Sequence, residues 1–269
     1  MLAPISIVHE TCGCLFVNKP PGLSFHRDEA MGDRGLLPLL RKMKEHDTDR
    51  RLFSVHRLDR VTSGLVLVAK SAEAAAEAAE LFRNRRLDKY YVALSARKGT
   101  KKQGTITGDM VRSRRGQWML QRSSVNPART GFVTKPLDVA TDGARRAYLL
   151  KPFTGRTHQI RVAMKSLGAP VLGDPMYASA ADADLEERAY LHAAAVRLPA
   201  GCNALVDGGT ALTVICRPHE GAAFRSEGFA RAWNAWFPSE GSEVGDALDD
   251  HTASEPWFAG TPVASRVVS

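Results

Sequence analysis

The run His56-Arg57-Leu58-Asp59-Arg60-Val61-Thr62-Ser63-Gly64 sets one carboxylate between two arginines, just ahead of the apolar Leu65-Val66-Leu67-Val68-Ala69. A carboxylate held in such a place could serve as a nucleophile or a base. Thr62, Ser63 and Gly64 are turn formers that end the polar segment. The apolar run after them reads as a core strand able to hold Asp59 in a fixed place. An Asp flanked by Arg also serves as a cap or a surface ion pair, so this run alone leaves both roles open.

Three more segments carry residue types that could join such a site. Lys19-Pro20-Pro21-Gly22-Leu23 is a rigid turn after a strand, to which no chemistry is assigned. Lys89-Tyr90-Tyr91-Val92-Ala93 opens a strand, where alternation sends Tyr90 and Tyr91 to opposite faces, so only one can look into a site. Gly155-Arg156-Thr157-His158-Gln159-Ile160-Arg161-Val162, read as a helix from Thr157, puts Ile160, Ala163, Met164 and Leu167 on an apolar face. His158, Arg161 and Lys165 fall on a basic one.

Taken together these segments resemble the RluA-type RNA pseudouridine synthases, whose signature is close to HRLDRVTSGLVLVAK and whose other segments read NKPxG, K-x-Y-V-A and GRxHQ[IL]R. Leu172-Gly173-Asp174-Pro175-Met176-Tyr177 and Leu191-His192-Ala193 fit as well, so the likeness runs from about residue 14 to about 218. It implies a pseudouridine-synthase-like α+β fold with a mixed, largely antiparallel sheet flanked by helices. By the same resemblance Asp59 is the catalytic residue, Tyr91 the active-site tyrosine, and Arg161 the arginine paired with the aspartate. Leu191 belongs to the apolar wall under the base, His158 is a structural or RNA-backbone contact, and Arg57 and Arg60 accompany Asp59 on its loop. Many members continue R-V-H-M where this chain has Ala163, so an accessory histidine is missing. A separate N-terminal RNA-binding domain of the S4 type is not expected.

The implied chemistry breaks the bond from ribose C1′ to N1 of uracil and rejoins C1′ to C5. It asks for a carboxylate, a surface to hold the detached uracil, and a proton acceptor for C5. The Tyr91 ring would stack on the base while its hydroxyl serves in proton transfer. A uridine stacked in RNA must first be flipped out, at a cost of a few kcal/mol. Arg57 is the candidate to fill the gap. No metal, nucleotide or redox cofactor is required, and neither a phosphate-binding Gly-rich loop nor a metal-ligand array is evident.

Two other functions fit part of the pattern. A non-catalytic RNA binder explains the charge but not Asp59, Tyr91 and Arg161 together. A carboxylate-dependent glycosidase needs a second acid roughly 5 to 10 Å from the first, for which Asp174 is the only nearby candidate by motif.

Stepping outward, short apolar strands dominate, at 5–9, 14–18, 52–57, 65–70, 89–95, 104–109, 117–121, 130–139, 145–153, 190–197 and 211–216. Helices are expected at Leu36–Glu45, at Ser71–Arg86 with Ser71 as N-cap, at Thr157–Leu167, and at Ala222–Trp236 with an aromatic stripe of Phe229, Trp233, Trp236 and Phe237. This pattern argues for an α+β domain over 1–238, followed by a flexible acidic tail over 239–269.

The formal charge is +8, yet from Glu220 onward eight acids face three arginines, a net of −5, so the remainder carries +13. Clusters at Arg41-Lys42-Lys44, Arg50-Arg51, Arg83-Arg85-Arg86, Lys98-Lys101-Lys102 and Arg112-Arg114-Arg115 suit a polyanion, here an rRNA or tRNA stem-loop. Four cysteines are too few for a disulfide framework, and reduced thiols are expected. No stretch of about 18 apolar residues occurs and no signal peptide is evident. A cytoplasmic monomer with no membrane partner is expected.

Overall fold

The computed structural model describes residues 4–27, 35–43, 51–138, 142–238 and 266–268. In chain order its elements are β1 (Ser6–Glu10), β2 (Cys14–Lys19), α1 (Leu36–Met43), β3 (Phe53–Ser54), β4 (Ser63–Ala69), α2 (Ala72–Arg83), β5 (Asp88–Ser95), β6 (Gln103–Arg112), β7 (Trp118–Gln121), β8 (Ala128–Pro136) and β9 (Arg146–Pro152). They continue with α3 (Gln159–Ser166), α4 (Ala180–Asp184), β10 (Leu191–Leu198), β11 (Leu212–Ile215), α5 (Glu227–Trp236) and β12 (Arg266–Val268). The mix of strands and helices is the α+β class that the sequence implies. The chain divides into two compact units, one of 1–90, 192–218 and 263–269, the other of 91–191 and 219–262.

In the first unit β4 is the centre. All seven of its residues are buried, which is why the sequence there is continuously apolar instead of alternating. It pairs antiparallel with β2 and β3 and parallel with β10, while β1 extends β2 and β11 extends β10. Each fully buried Leu or Val of β4 contributes about 1.5–3 kcal/mol. Helix α2 starts where Ser71 accepts the Ala74 amide at 3.0 Å, and it packs Ala74, Ala78 and Leu81 into the same core as Phe16, Leu65, Leu67, Val196 and Val214. The left-handed Arg85, at φ 55°, ends it short of the expected Arg86.

The second unit is an antiparallel sheet in the order β5, β9, β8, β6, β7. Helix α3 begins at Gln159 and not at Thr157, because His158 sits in the left-handed region at φ 57° and cannot belong to a right-handed helix. The expected helix over 222–236 is two pieces. A 3₁₀ turn covers Ala222–Arg225, then Ser226 turns extended and accepts the Phe229 amide at 3.1 Å as the N-cap of α5. Phe229, Trp233 and Trp236 are buried as the stripe suggests. Helix α4, capped by Ser179, has no counterpart in the sequence reading.

Positions 44–45 of the first expected helix, 139 of the expected strand 130–139, and 239–265 and 269 of the expected tail lie outside the described residues. Within that tail, Arg266–Val268 pairs in parallel with β11. No helix among the described residues is long and apolar enough to cross a membrane.

Candidate functional site

Asp59 lies in the first unit, on a turn closed by the Thr62 amide donating to the Asp59 carbonyl at 3.0 Å. The turn is anchored by Lys19, the last residue of β2, whose side chain is wholly buried. Its ammonium donates to the carbonyls of Pro20 and Leu23 at 2.9 Å each and of Arg60 at 3.2 Å. The Arg60 carbonyl also takes the Gly22 amide at 2.8 Å, and the Arg60 Nε donates back to the Gly22 carbonyl at 2.8 Å. A buried ammonium is tolerated only when hydrogen-bonded, so Lys19 locks the Pro20–Leu23 turn to the loop that carries Asp59.

The far side of the turn is held as tightly. Gly64 adopts φ +104°, and a Cβ there would lie 2.3 Å from the Ala193 carbonyl oxygen, so only glycine admits the parallel approach of β10. Next to it Ser63 Oγ lies 2.8 Å from His192 Nδ1, and His192 Nε2 lies 3.0 Å from the Cys216 carbonyl. A carbonyl only accepts, so Nε2 carries the hydrogen and Ser63 donates to Nδ1. Between these anchors Asp59 is half-buried, Leu58 is buried, and Arg57 and Arg60 are exposed. The result is a firmly anchored turn in which Asp59 stands in sequence between two exposed arginines.

Behind the loop, His56 Nε2 accepts the Leu67 amide at 2.9 Å, and its ring lies 5.0 Å from that of Phe82. Burial, aided by the Lys89 charge, holds its imidazole down at about 3, so it is a neutral acceptor. Burial also draws the Lys89 ammonium down to about 8.

Tyr91, Arg161, His158 and Leu191 lie in the second unit. Tyr91, in β5 opposite Leu150 of β9, is 8% exposed, and Leu191 is buried. Arg161 does not lie on a solvated basic face of α3 as its helical position suggests. It is 4% exposed, and its Nε and Nη2 grip the two oxygens of Asp174 at 2.7 and 2.8 Å. Asp174, fully buried, also accepts the amides of Met176 and Tyr177 at 2.9 and 3.1 Å. A two-point pair of this kind fixes the guanidinium plane as well as its charge.

Gln159 anchors the start of the same helix. Its Oε1 accepts from Thr154 Oγ1 at 2.7 Å and from the Arg156 amide at 3.0 Å. Its Nε2 donates to the Arg129 carbonyl and Thr130 Oγ1 of β8 at 3.0 Å each. All four hydrogen-bonding positions of the amide are thereby used.

A family model described as RNA pseudouridylate synthase matches residues 13–166, more than half of the chain. The chain belongs to this family. An uncharacterized RNA pseudouridine synthase of Haemophilus influenzae is 43% identical over 189 residues, 70% of this chain and 80% of that protein. The dual-specificity RNA pseudouridine synthase RluA of Salmonella typhi is 34% identical over 191 residues, 70% of this chain and 83% of its own. The solved structure of human RNA pseudouridylate synthase domain containing 1 superposes with a TM-score of 0.59 at 31% identity, covering 73% of this chain and 79% of that one. The protein is thus an RNA pseudouridine synthase of RluA type, an isomerase that converts uridine to pseudouridine in RNA.

Within this pseudouridine synthase the sequence reading overlooked four supporting residues. Lys19, Gln159, His192 and Tyr177 all stood inside quoted segments. Their signal was a polar side chain beside a strand or helix terminus, where it can bond backbone, but such positions are equally common on surfaces. Asp174, by motif a possible second acid, holds Arg161 instead.

Proposed function

We propose that this synthase isomerises specific uridines in structured ribosomal or transfer RNA, acting as a single chain in the cytoplasm with Asp59 as its catalytic carboxylate. The observation that carries the reading is the Asp59 turn itself, anchored by Lys19 on one side and by Gly64, Ser63 and His192 on the other, with Asp59 only half-buried. Catalysis gains when a reacting group is held before the substrate arrives, because ordering it later would add to the barrier.

The target uridine leaves its stack, and the exposed Arg57, two residues from Asp59, is suited to occupy the vacated space. In this reading Tyr91 and Leu191 provide the surface for the uracil, with the Tyr91 hydroxyl in proton transfer, and Arg161 provides fixed positive charge for the carboxylate. His158 belongs to the RNA-facing side. These four assignments follow the family pattern of the sequence.

RNA is held by charge. Arg83, Arg85 and Arg86, Lys98, Lys101 and Lys102, and Arg112, Arg114 and Arg115 are all exposed. Phosphate contacts from such a rim make affinity fall steeply with salt. The testing experiment maps pseudouridines chemically across all cellular RNA with and without the gene. One or a few lost sites are expected, restored by the wild type and not by Asp59→Asn. No lost site, with no turnover on any RNA, overturns the reading.

A further inference from the structure

Strands β6 and β7 form a two-stranded ribbon at the end of their sheet, for among the described residues β7 pairs with β6 alone. The ribbon's tip, Ser113-Arg114-Arg115-Gly116-Gln117, is a tight turn in which Ser113 N donates to the Gln117 carbonyl at 2.8 Å and Arg115 takes φ 55°. Arg112, paired across from Trp118, lays its guanidinium 5.6 Å from the indole centroid. A two-stranded ribbon is marginally stable by itself, so a tip that is to meet RNA in a fixed pose needs an outside tether.

The tether is the turn after Asp174. Gln117 Nε2 donates to the Met176 carbonyl at 2.9 Å, and the Trp118 amide donates to the Tyr177 hydroxyl at 3.0 Å. That hydroxyl, already accepting from Trp118, is 2.9 Å from His158 Nδ1 and has its own hydrogen to give there. The Tyr177 ring, 3% exposed, lies edge-on to His158 with centroids 5.7 Å apart. It carries the Arg161 guanidinium at 4.9 Å and the Lys165 ammonium at 5.6 Å from its centroid. Its amide is held by the same Asp174 oxygen that binds Arg161 Nη2. The two ends of one side chain therefore do different things. The ring lies against Arg161, and the hydroxyl holds the hairpin and His158.

We infer that Tyr177 is a positioning residue whose hydroxyl latches the basic β6–β7 hairpin in its RNA-gripping pose, while its ring and backbone help to seat Arg161. The inference rests on the reading that the hairpin arginines contact RNA. It goes beyond that reading in naming the residue that ties RNA grip to the arginine of the site. Tyr177→Phe keeps the ring under Arg161 and removes only the latch, so the loss falls on KM and not on kcat. One of the two tether bonds is lost, leaving the Trp118 amide without its acceptor, together with the hydroxyl's bond to His158; the tether bond alone corresponds to a rise in KM of about five- to tenfold.

The test uses the full chain and measures tritium release from [5-³H]uridine-labelled total RNA taken from cells lacking the gene. The variants are Tyr177→Phe, the pair Arg114→Ala/Arg115→Ala, and the triple variant. Tyr177→Phe is expected to raise KM about five- to tenfold with kcat changed by less than about twofold. In the arginine-free background the same substitution should add less than about twofold, because a latch on a hairpin that no longer grips has nothing to hold. Gln117→Met, which removes the neighbouring tether bond and leaves the buried tyrosine in place, should give the same pattern at about two- to threefold. It stands in if Tyr177→Phe fails to fold. Equal effects in both backgrounds, or a fall in kcat at unchanged KM, overturn the inference and leave the RNA reading standing. An unchanged KM for the arginine pair overturns the hairpin reading and the inference with it, and no turnover by wild type removes the functional reading itself.

Discussion

Lys19→Met removes one buried ammonium and nothing else of comparable size. The structure sets the magnitude. The carbonyls of Pro20 and Leu23 each lose the donor at 2.9 Å, whereas the Arg60 carbonyl retains the Gly22 amide at 2.8 Å. Two carbonyls losing a buried partner cost about 1–3 kcal/mol each, and relief from burying the charge offsets part of this, leaving a net loss of about 3 kcal/mol. At roughly 2–4 °C per kcal/mol for a chain of this size, thermal unfolding should shift down by about 6–12 °C. The effect on turnover should exceed what stability explains, since the Arg60 carbonyl, which loses one of its two donors, adjoins Asp59, the proposed catalytic carboxylate. A reacting group displaced by about 1 Å can lose about a hundredfold in rate, so kcat is expected to fall about 10- to 100-fold even well below the melting range. Circular dichroism melts and tritium release from uridine-labelled RNA measure the two effects. A melt within about 2 °C of wild type together with kcat within about twofold would refute the argument that Lys19 holds the site.

Asp59→Asn should abolish pseudouridine formation while RNA affinity, measured by fluorescence anisotropy, stays within about threefold, since phosphate contacts dominate binding; measurable turnover sinks its assignment. Asp174→Asn removes the charge of the carboxylate that grips the buried Arg161 guanidinium and should destabilise by about 3–5 kcal/mol in urea titrations; an unchanged midpoint would refute the stabilising role of this pair. His56, held at about 3 by burial against an ordinary 6.5, binds its proton more weakly folded than unfolded. Its contribution is therefore complete above about 6.5 and is lost as pH falls towards 3, by about 2 kcal/mol at pH 5. His56→Gln should flatten the acid limb of stability relative to wild type, and parallel limbs would contradict the buried neutral imidazole.

What the sequence disclosed was what is local. The apolar run of β4 and the Ser71 cap of α2 depend on neighbours in the chain, and both stand where they were expected. The losses came where a side chain replaced a backbone partner. The strand expected over 52–57 pairs only at Phe53 and Ser54, because at the next position the Leu67 amide goes to His56 Nε2 instead of a strand carbonyl. The helix expected from Thr157 waits for Gln159, since the amide of that residue's side chain needs Thr154, Arg129 and Thr130 in place and His158 must turn left-handed before it. For the site, residue types were legible and their partners were not. Nothing in spacing says that Arg161 will be buried against Asp174, or that Lys19 will turn inward to three carbonyls.

The burial of Asp174 also bears on which chemistry the chain can perform. A glycosidase of the two-carboxylate kind needs its second acid within reach of the substrate, able to hand over a proton. Asp174 has no exposed surface, one oxygen taken by Arg161 Nη2 and two amides, and the other by Arg161 Nε. No substrate atom can reach it without dismantling the turn that holds Tyr177. An isomerase asks the opposite of such a residue. Uridine isomerisation adds and removes no water, so it has no use for a second mobile acid, but it gains from a cation held in one place while charge moves on the base. Asp59 is half-buried and Asp174 is sealed beside Arg161, so under the proposed function Asp59 is the carboxylate that reacts and Asp174 the one that stays still.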